Sequence, residues 1–229
     1  MFYTENVYNY KTAEQLNTAM ANVYKHMSYA VIVSMLVSYF VGTTPELVNF
    51  FFTGMMKWVV IFSPLLAIMF VSVALNSNPP KHIAVLMLHS FAALMGLSFA
   101  AIFAVYQLGS IFTAFMGAAV LFTVMSLYGY FTKKSLDSLG KYLFIGLIAI
   151  VISSIINIFI GNSVFATLIS ALAIIVFLGL TAYDTQKIRE IVMQSNDTGV
   201  QEVVGALTLY LNFINIFLSL LQLFGDKKE

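Results

Sequence analysis

The chain has 229 residues, of which 60% are hydrophobic and only 9% charged, against about 25% charged in an average soluble domain. A soluble fold of this length lacks the interior to hide so much apolar surface, so the composition specifies a polytopic membrane protein. The net charge of +1 argues against nucleic acid as a partner, and the absence of cysteine excludes disulfides, thiolate metal sites and a cysteine nucleophile.

The first 22 residues are polar and lack the basic-then-apolar pattern of a cleaved signal. They are expected to form a cytoplasmic tail (residues 1–22), followed by a membrane domain (23–225) and a short C-terminal tail (226–229). About 20 apolar residues span a bilayer as a helix. Seven stretches qualify: 23–41, 58–75, 83–106, 111–131, 142–160, 164–183 and 203–224. Lys25 and His26 can snorkel at the start of the first. Pro64 lies in the second, and Asn76-Ser77-Asn78-Pro79-Pro80 makes a turn after it. The connections before the fourth and sixth stretches are too short for anything but antiparallel neighbours. A polar segment, 184–202, leads into the last. The expected fold is an all-α integral membrane protein, a seven-transmembrane-helix bundle. Lys11, Lys25, Lys81, Lys133, Lys134, Lys141, Lys187 and Arg189 fall on one side of it, and Lys57, Lys227 and Lys228 on the other. That bias puts the N-terminus in the cytoplasm and the C-terminus outside.

In the third stretch Ala92, Gly96, Ala100 and Ala104 recur every four residues, a stripe that lets helices pack closely in lipid. His89 lies about two turns in from the cytoplasmic end of the same stretch. With no His or acid three or four residues away, it reads either as hydrogen-bonded packing or as a pore contact. Asn157 in the fifth stretch reads as an interhelical hydrogen-bonding group. Asp184 closes the sixth stretch. A carboxylate there costs roughly 2.5–3.5 kcal/mol if it reaches the bilayer centre, so it needs a partner, water, a cation or a proton, unless it sits in the headgroup layer.

The last stretch has no charge from residue 205 to residue 225, yet Thr208, Asn212, Asn215, Ser219 and Gln222 recur at helical spacing. On a helix they share one narrow face. Hydrocarbon offers amides no partner, so this helix is expected inside the bundle, its stripe lining whatever the bundle contains. No enzyme fits these residues. The last stretch has no lysine for a Schiff base and no second aspartate for a proton-sharing dyad. His89 and Ser98 are about 13 Å apart along one helix, too far for a nucleophile and its base.

Two segments make the chain resemble the Bax inhibitor-1 family (the transmembrane BAX inhibitor motif family). They are Gly179-Leu180-Thr181-Ala182-Tyr183-Asp184-Thr185-Gln186-Lys187-Ile188 and Gly205-Ala206-Leu207-Thr208-Leu209-Tyr210-Leu211-Asn212-Phe213-Ile214-Asn215. The resemblance implies a seven-helix bundle with the last helix central, and a pH-sensitive calcium leak. In that family the aspartate of the Tyr-Asp motif pairs with a second aspartate on the seventh helix. Asp184 matches the first; the second matches Asn212, where this chain has an amide. Gln222 likewise replaces an arginine often found near the C-terminus. Relatives without the second acid are associated with restraining a membrane-bound ATP-dependent protease. The expectation is a calcium leak of a bacterial plasma or inner membrane, with Asp184 and Asn212 as its gate. Thr208, Asn215, Ser219, Gln222 and His89 are the candidate pore contacts. Asp184 would be a weak, transient ion ligand, and no cofactor is expected. The alternative is a non-conducting regulator of a membrane protease or another membrane protein. Two facing carboxylates cannot both ionise easily, whereas Asn212 can donate to an ionised Asp184. Weak pH gating follows.

Overall fold

The computed structural model describes residues 11–194 and 199–228. Among them the chain forms eight helices: α1 (Ala13–Gly42), α2 (Pro45–Phe52), α3 (Met56–Asn76), α4 (Lys81–Val105), α5 (Leu108–Phe131), α6 (Asp137–Ile160), α7 (Ser163–Gln194) and α8 (Val200–Phe224). Extended backbone pairs only in one isolated antiparallel bridge among the described residues, Tyr106 with Lys227. Helices α3 to α8 are each long and apolar enough to cross a membrane. Helix α1 passes the same test only together with α2, from which a bend of 98° separates it. The chain is an all-helical integral membrane protein.

Two boundaries differ from the hydropathy reading. Helix α1 starts at Ala13, ten residues before the first apolar stretch. Thr12 caps it: its hydroxyl accepts from the Gln15 N–H, and the Gln15 side chain accepts from the Thr12 N–H. Leu16, Ala19, Met20 and Val23 are buried on one face of this first part. The outward polar residues lower the average hydropathy and hide that stripe. Of the expected tail, residues 1–10 lie outside the described residues. The second difference is in the expected polar connection 184–202. Helix α7 continues to Gln194 and α8 begins at Val200, with Ile188 and Val192 extending the buried face past Asp184.

Helix α8 is the most enclosed. Its apolar stretch is 72% buried, against 33% at most in the other spans. It packs against α1, α4, α5 and α7, while α3 lies on α4 and α6 on α7. Lipid is as apolar as a leucine side chain, so this enclosure rests on close packing and interhelical hydrogen bonds rather than on escape from water. Both are visible. Tyr210 is fully buried in α8, and its hydroxyl meets Ser34 Oγ of α1 at 2.6 Å. Gly96 of α4 sits on α1, where an added Cβ would lie 2.5 Å from the Ser34 carbonyl. Gly129 of α5 abuts the backbone of Ala182 in α7 so closely that no Cβ fits.

The small residues of α4 divide. Ala92, Gly96 and Ala100 are buried, but Ala104 is exposed. A strict four-residue step outruns the helix by about 40° each time, so after three steps the side chain has left the face. Asn157 of α6 offers no interhelical bond: its Oδ1 is enclosed without a partner among the described residues.

Candidate functional site

Helices α7 and α8 bring together the two residues that the sequence singles out. Asn212 Nδ2 donates to Asp184 Oδ2 at 2.7 Å. Asn212 is buried and Asp184 half-buried. The contact has the length of a charge-assisted hydrogen bond. Gly205, two turns upstream of Asn212, lets the helices close here. A Cβ added to it would lie 2.7 Å from Ile188 Cγ2. Beside the pair lies a cavity of about 120 Å³, lined by Asp184, Lys187, Ile188, Ile191, Gln201, Val204, Gly205 and Thr208. Three of these side chains besides Asp184 are polar, so the space can hold water.

The rest of the expected stripe does not share one environment. Along α8 the least buried line runs Gln201, Val204, Thr208, Leu211, Asn215, Leu218 and Gln222. Thr208 and Asn215 lie half-buried on it and bond back to their own helix, to Val204 O at 3.1 Å and Leu211 O at 2.8 Å. Gln222 is exposed near the helix end. Asn212 and Ser219 are rotated off this line and are buried. His89 is half-buried on α4, and its Nδ1 donates to Val85 O at 2.7 Å, one turn back in its own helix. Among the described residues no group of three or more His, Cys, Asp or Glu stands close enough to hold a metal ion.

Three polar contacts around the site escaped the sequence reading. Lys81, at the start of α4, forms an ion pair at 2.7 Å with Glu202 in the first turn of α8, and the Glu202 side chain is only 11% exposed. Thr185 Oγ1 meets Ser126 Oγ at 3.1 Å, and Ser126 meets the Tyr24 hydroxyl at 2.6 Å, joining α7, α5 and α1. Gln186 accepts from the Leu136 N–H at 2.8 Å and donates to Lys134 O at 2.9 Å, holding the α5–α6 connection. Asp184, Thr185 and Gln186 are consecutive, so α7 points one polar side chain each at α8, α5 and the connection. The one available signal was this polar triplet in an apolar helix, since each of its members needed a partner.

A bundle of apolar helices around an enclosed helix, with one carboxylate held by a neighbour's amide, defines a polytopic helical membrane protein with a polar α7–α8 contact. Residues 16–229 match the sequence model of the family described as "Inhibitor of apoptosis-promoting Bax1". The chain belongs to this family, the Bax inhibitor-1 family. Among curated relatives it is 35% identical over 218 residues to the "Inner membrane protein YbhL" of Escherichia coli, covering 93% of each chain. It is also 35% identical to an uncharacterized protein of Borreliella burgdorferi over 93% of this chain and 94% of that one. An uncharacterized protein of Deinococcus radiodurans is 33% identical over 96% of this chain and 94% of its own.

Proposed function

We propose that this protein is a small cation leak of a bacterial inner membrane, passing calcium, with the Asp184–Asn212 contact as its gate. The observation that carries the reading is that contact and its place. A half-buried carboxylate, tied to the enclosed helix by a single amide, borders a cavity whose lining mixes Lys187, Gln201 and Thr208 with apolar side chains. In this reading the bundle has seven spans, α1 bending into α2 to complete the first, with α8 central. The Lys and Arg bias puts the N-terminus in the cytoplasm and Asp184 near that face. Calcium takes six to eight oxygens. Asp184, the Asn212 carbonyl and Asn215 supply few of them, so water supplies the rest, as suits an ion that passes rather than stays. The inner-membrane location follows that of the Escherichia coli relative, an inner membrane protein.

With one carboxylate and one amide there is no like-charge repulsion for a proton to relieve. Gating is therefore expected to depend much less on pH near neutrality than in the Asn212→Asp variant, which adds the second carboxylate. The test is calcium flux into proteoliposomes containing only this protein. Flux lost in Asp184→Ala supports the leak. A steep wild-type pH response left unaltered by Asn212→Asp overturns the gating.

The second reading, a non-conducting regulator of a membrane-bound ATP-dependent protease or another membrane protein, draws on the same contact. The amide ties α7 to α8 with no second acid to release it. Absence of flux at every pH favours this reading. Its complementary test is deletion of residues 1–10, because Leu16 and Met20 beyond them are built into the bundle. A regulator is expected to lose its effect, whereas a leak conducts unchanged.

A further inference from the structure

Among the described residues, side-chain hydrogen bonds join α1 and α5 at one end. There the Tyr24 hydroxyl meets Ser126 Oγ and the Tyr130 hydroxyl donates to Asn17 Oδ1, each at 2.6 Å. At the other end, beside the C-terminus of α8, the two helices flank a half-open groove of about 420 Å³. That volume lies within the range of small-molecule sites, about 300–1,000 Å³. The groove's floor is Ile214 and Phe217 of α8, both buried, and its rim carries Leu36, Phe112 and Met116, all exposed to the membrane. From Leu108 to Met116 it follows α5 for about 12 Å.

The chemistry of the lining is that of hydrocarbon. Its two serines are already engaged. Ser34 Oγ bonds to Ala30 O, Ala92 O and the Tyr210 hydroxyl, and Ser38 Oγ donates to Met35 O. Water needs two to four polar partners and finds too few here. The rim belongs to membrane-spanning helices, so the medium that meets the groove is lipid. Lys228 Nζ donates to the backbone carbonyl of Phe103, a lining residue, at 2.7 Å. An ammonium has three donors, and among the described residues one of them is engaged here. This cation stands where α4 ends and α5 begins, at one end of two membrane-spanning helices.

We propose that the groove between α1 and α5 is a binding site for one acyl chain of a glycerophospholipid, whose phosphate is drawn to Lys228. The site is separate from the Asp184–Asn212 contact and stands whether or not the protein conducts ions. The enclosed part of α8 would then meet a defined lipid from one side, so occupancy sets how firmly α1 and α5 are held there.

The test reconstitutes the full chain in liposomes of phosphatidylglycerol bearing a photoreactive diazirine at mid-chain and maps the crosslinks by peptide mass spectrometry. The expected result is labelling of the buried Ile214 and Phe217. Met116→Trp at the rim is expected to cut that labelling by about tenfold, while labelling of the lipid-facing Leu65 on α3 is unchanged. Met35→Trp, also at the rim, repeats the measurement if the first variant does not fold. Lys228→Gln is expected to lower labelling by phosphatidylglycerol several-fold while leaving that of Leu65 alone. Crosslinks confined to exposed positions such as Leu65 and Phe144, with none on Ile214 or Phe217, overturn the site. So does labelling of Ile214 and Phe217 that neither tryptophan reduces.

Discussion

Asn212 and Asp184 are expected to be energetically coupled, and the size of that coupling follows from their setting. Their bond spans two helices and is 2.7 Å long. Neutral hydrogen bonds between membrane helices couple by only about 0.6 kcal/mol on average, and about 1.7 at most, because the unfolded chain in lipid also finds partners. A carboxylate acceptor roughly doubles the strength of such a bond. The half-buried position of Asp184 lets water compete for part of it. The balance is a coupling of about 1–2 kcal/mol. The measurement is a double-mutant cycle of Asp184→Ala, Asn212→Ala and the double variant, unfolded from mixed detergent micelles with rising dodecyl sulfate. Each single variant loses the bond, and the double variant loses less than the two together. A coupling below about 0.3 kcal/mol, within the additivity seen for independent sites, would refute the premise that this contact ties α7 to α8.

The other expectations use the same unfolding assay. Lys81→Met leaves the Glu202 carboxylate enclosed without its cation and is expected to cost about 2 kcal/mol. That is less than the 3–5 of a fully buried pair, because Lys81 is 38% exposed. Adding Glu202→Leu should recover most of it, and equal instability of the double variant would contradict the pairing. Ser34→Ala strands the hydroxyl of the fully buried Tyr210 and is expected to cost about 1–3 kcal/mol. Tyr210→Phe costs less, since Ser34 still donates to a backbone carbonyl; the reverse order would refute the assignment. Gly129→Ala drives a methyl into the Ala182 backbone and is expected to lose about 1–3 kcal/mol. Gly109→Ala, with open space around it, is expected to be tolerated, and similar melting of the two variants would show that α5 and α7 are less tightly apposed than described.

The candidate site was readable in part. Asp184 and Asn212 each stood out because a polar group in an apolar helix must be satisfied, and both occur where the family motifs place them. Their neighbours were not readable. Glu202 looked like the end of a polar loop, and only the start of α8 at Val200 turns it toward Lys81. Gln222 looked continuous with Asn212 and Ser219, yet it is exposed near the end of α8. A helical stripe specifies an angle around one axis; it does not say which neighbour lies at that angle, or how far along the helix the neighbour reaches.

From sequence alone came the membrane class and the approximate spans of α3 to α8, because hydropathy and helical period are local properties of a continuous stretch. The family followed from two such stretches. Tertiary structure decided where α1 begins and where α7 ends, since Leu16 and Val192 are buried only once the helices pack. It also decided that Ala104 faces outward while Ala100 is enclosed, and that Asn212 meets Asp184 while Thr208 and Asn215 turn back on their own backbone. In lipid the apolar faces are nearly interchangeable, so local pattern does not choose among them. That choice falls to close approaches such as Gly129 on Ala182 and to a few interhelical hydrogen bonds, which exist only once the helices have met.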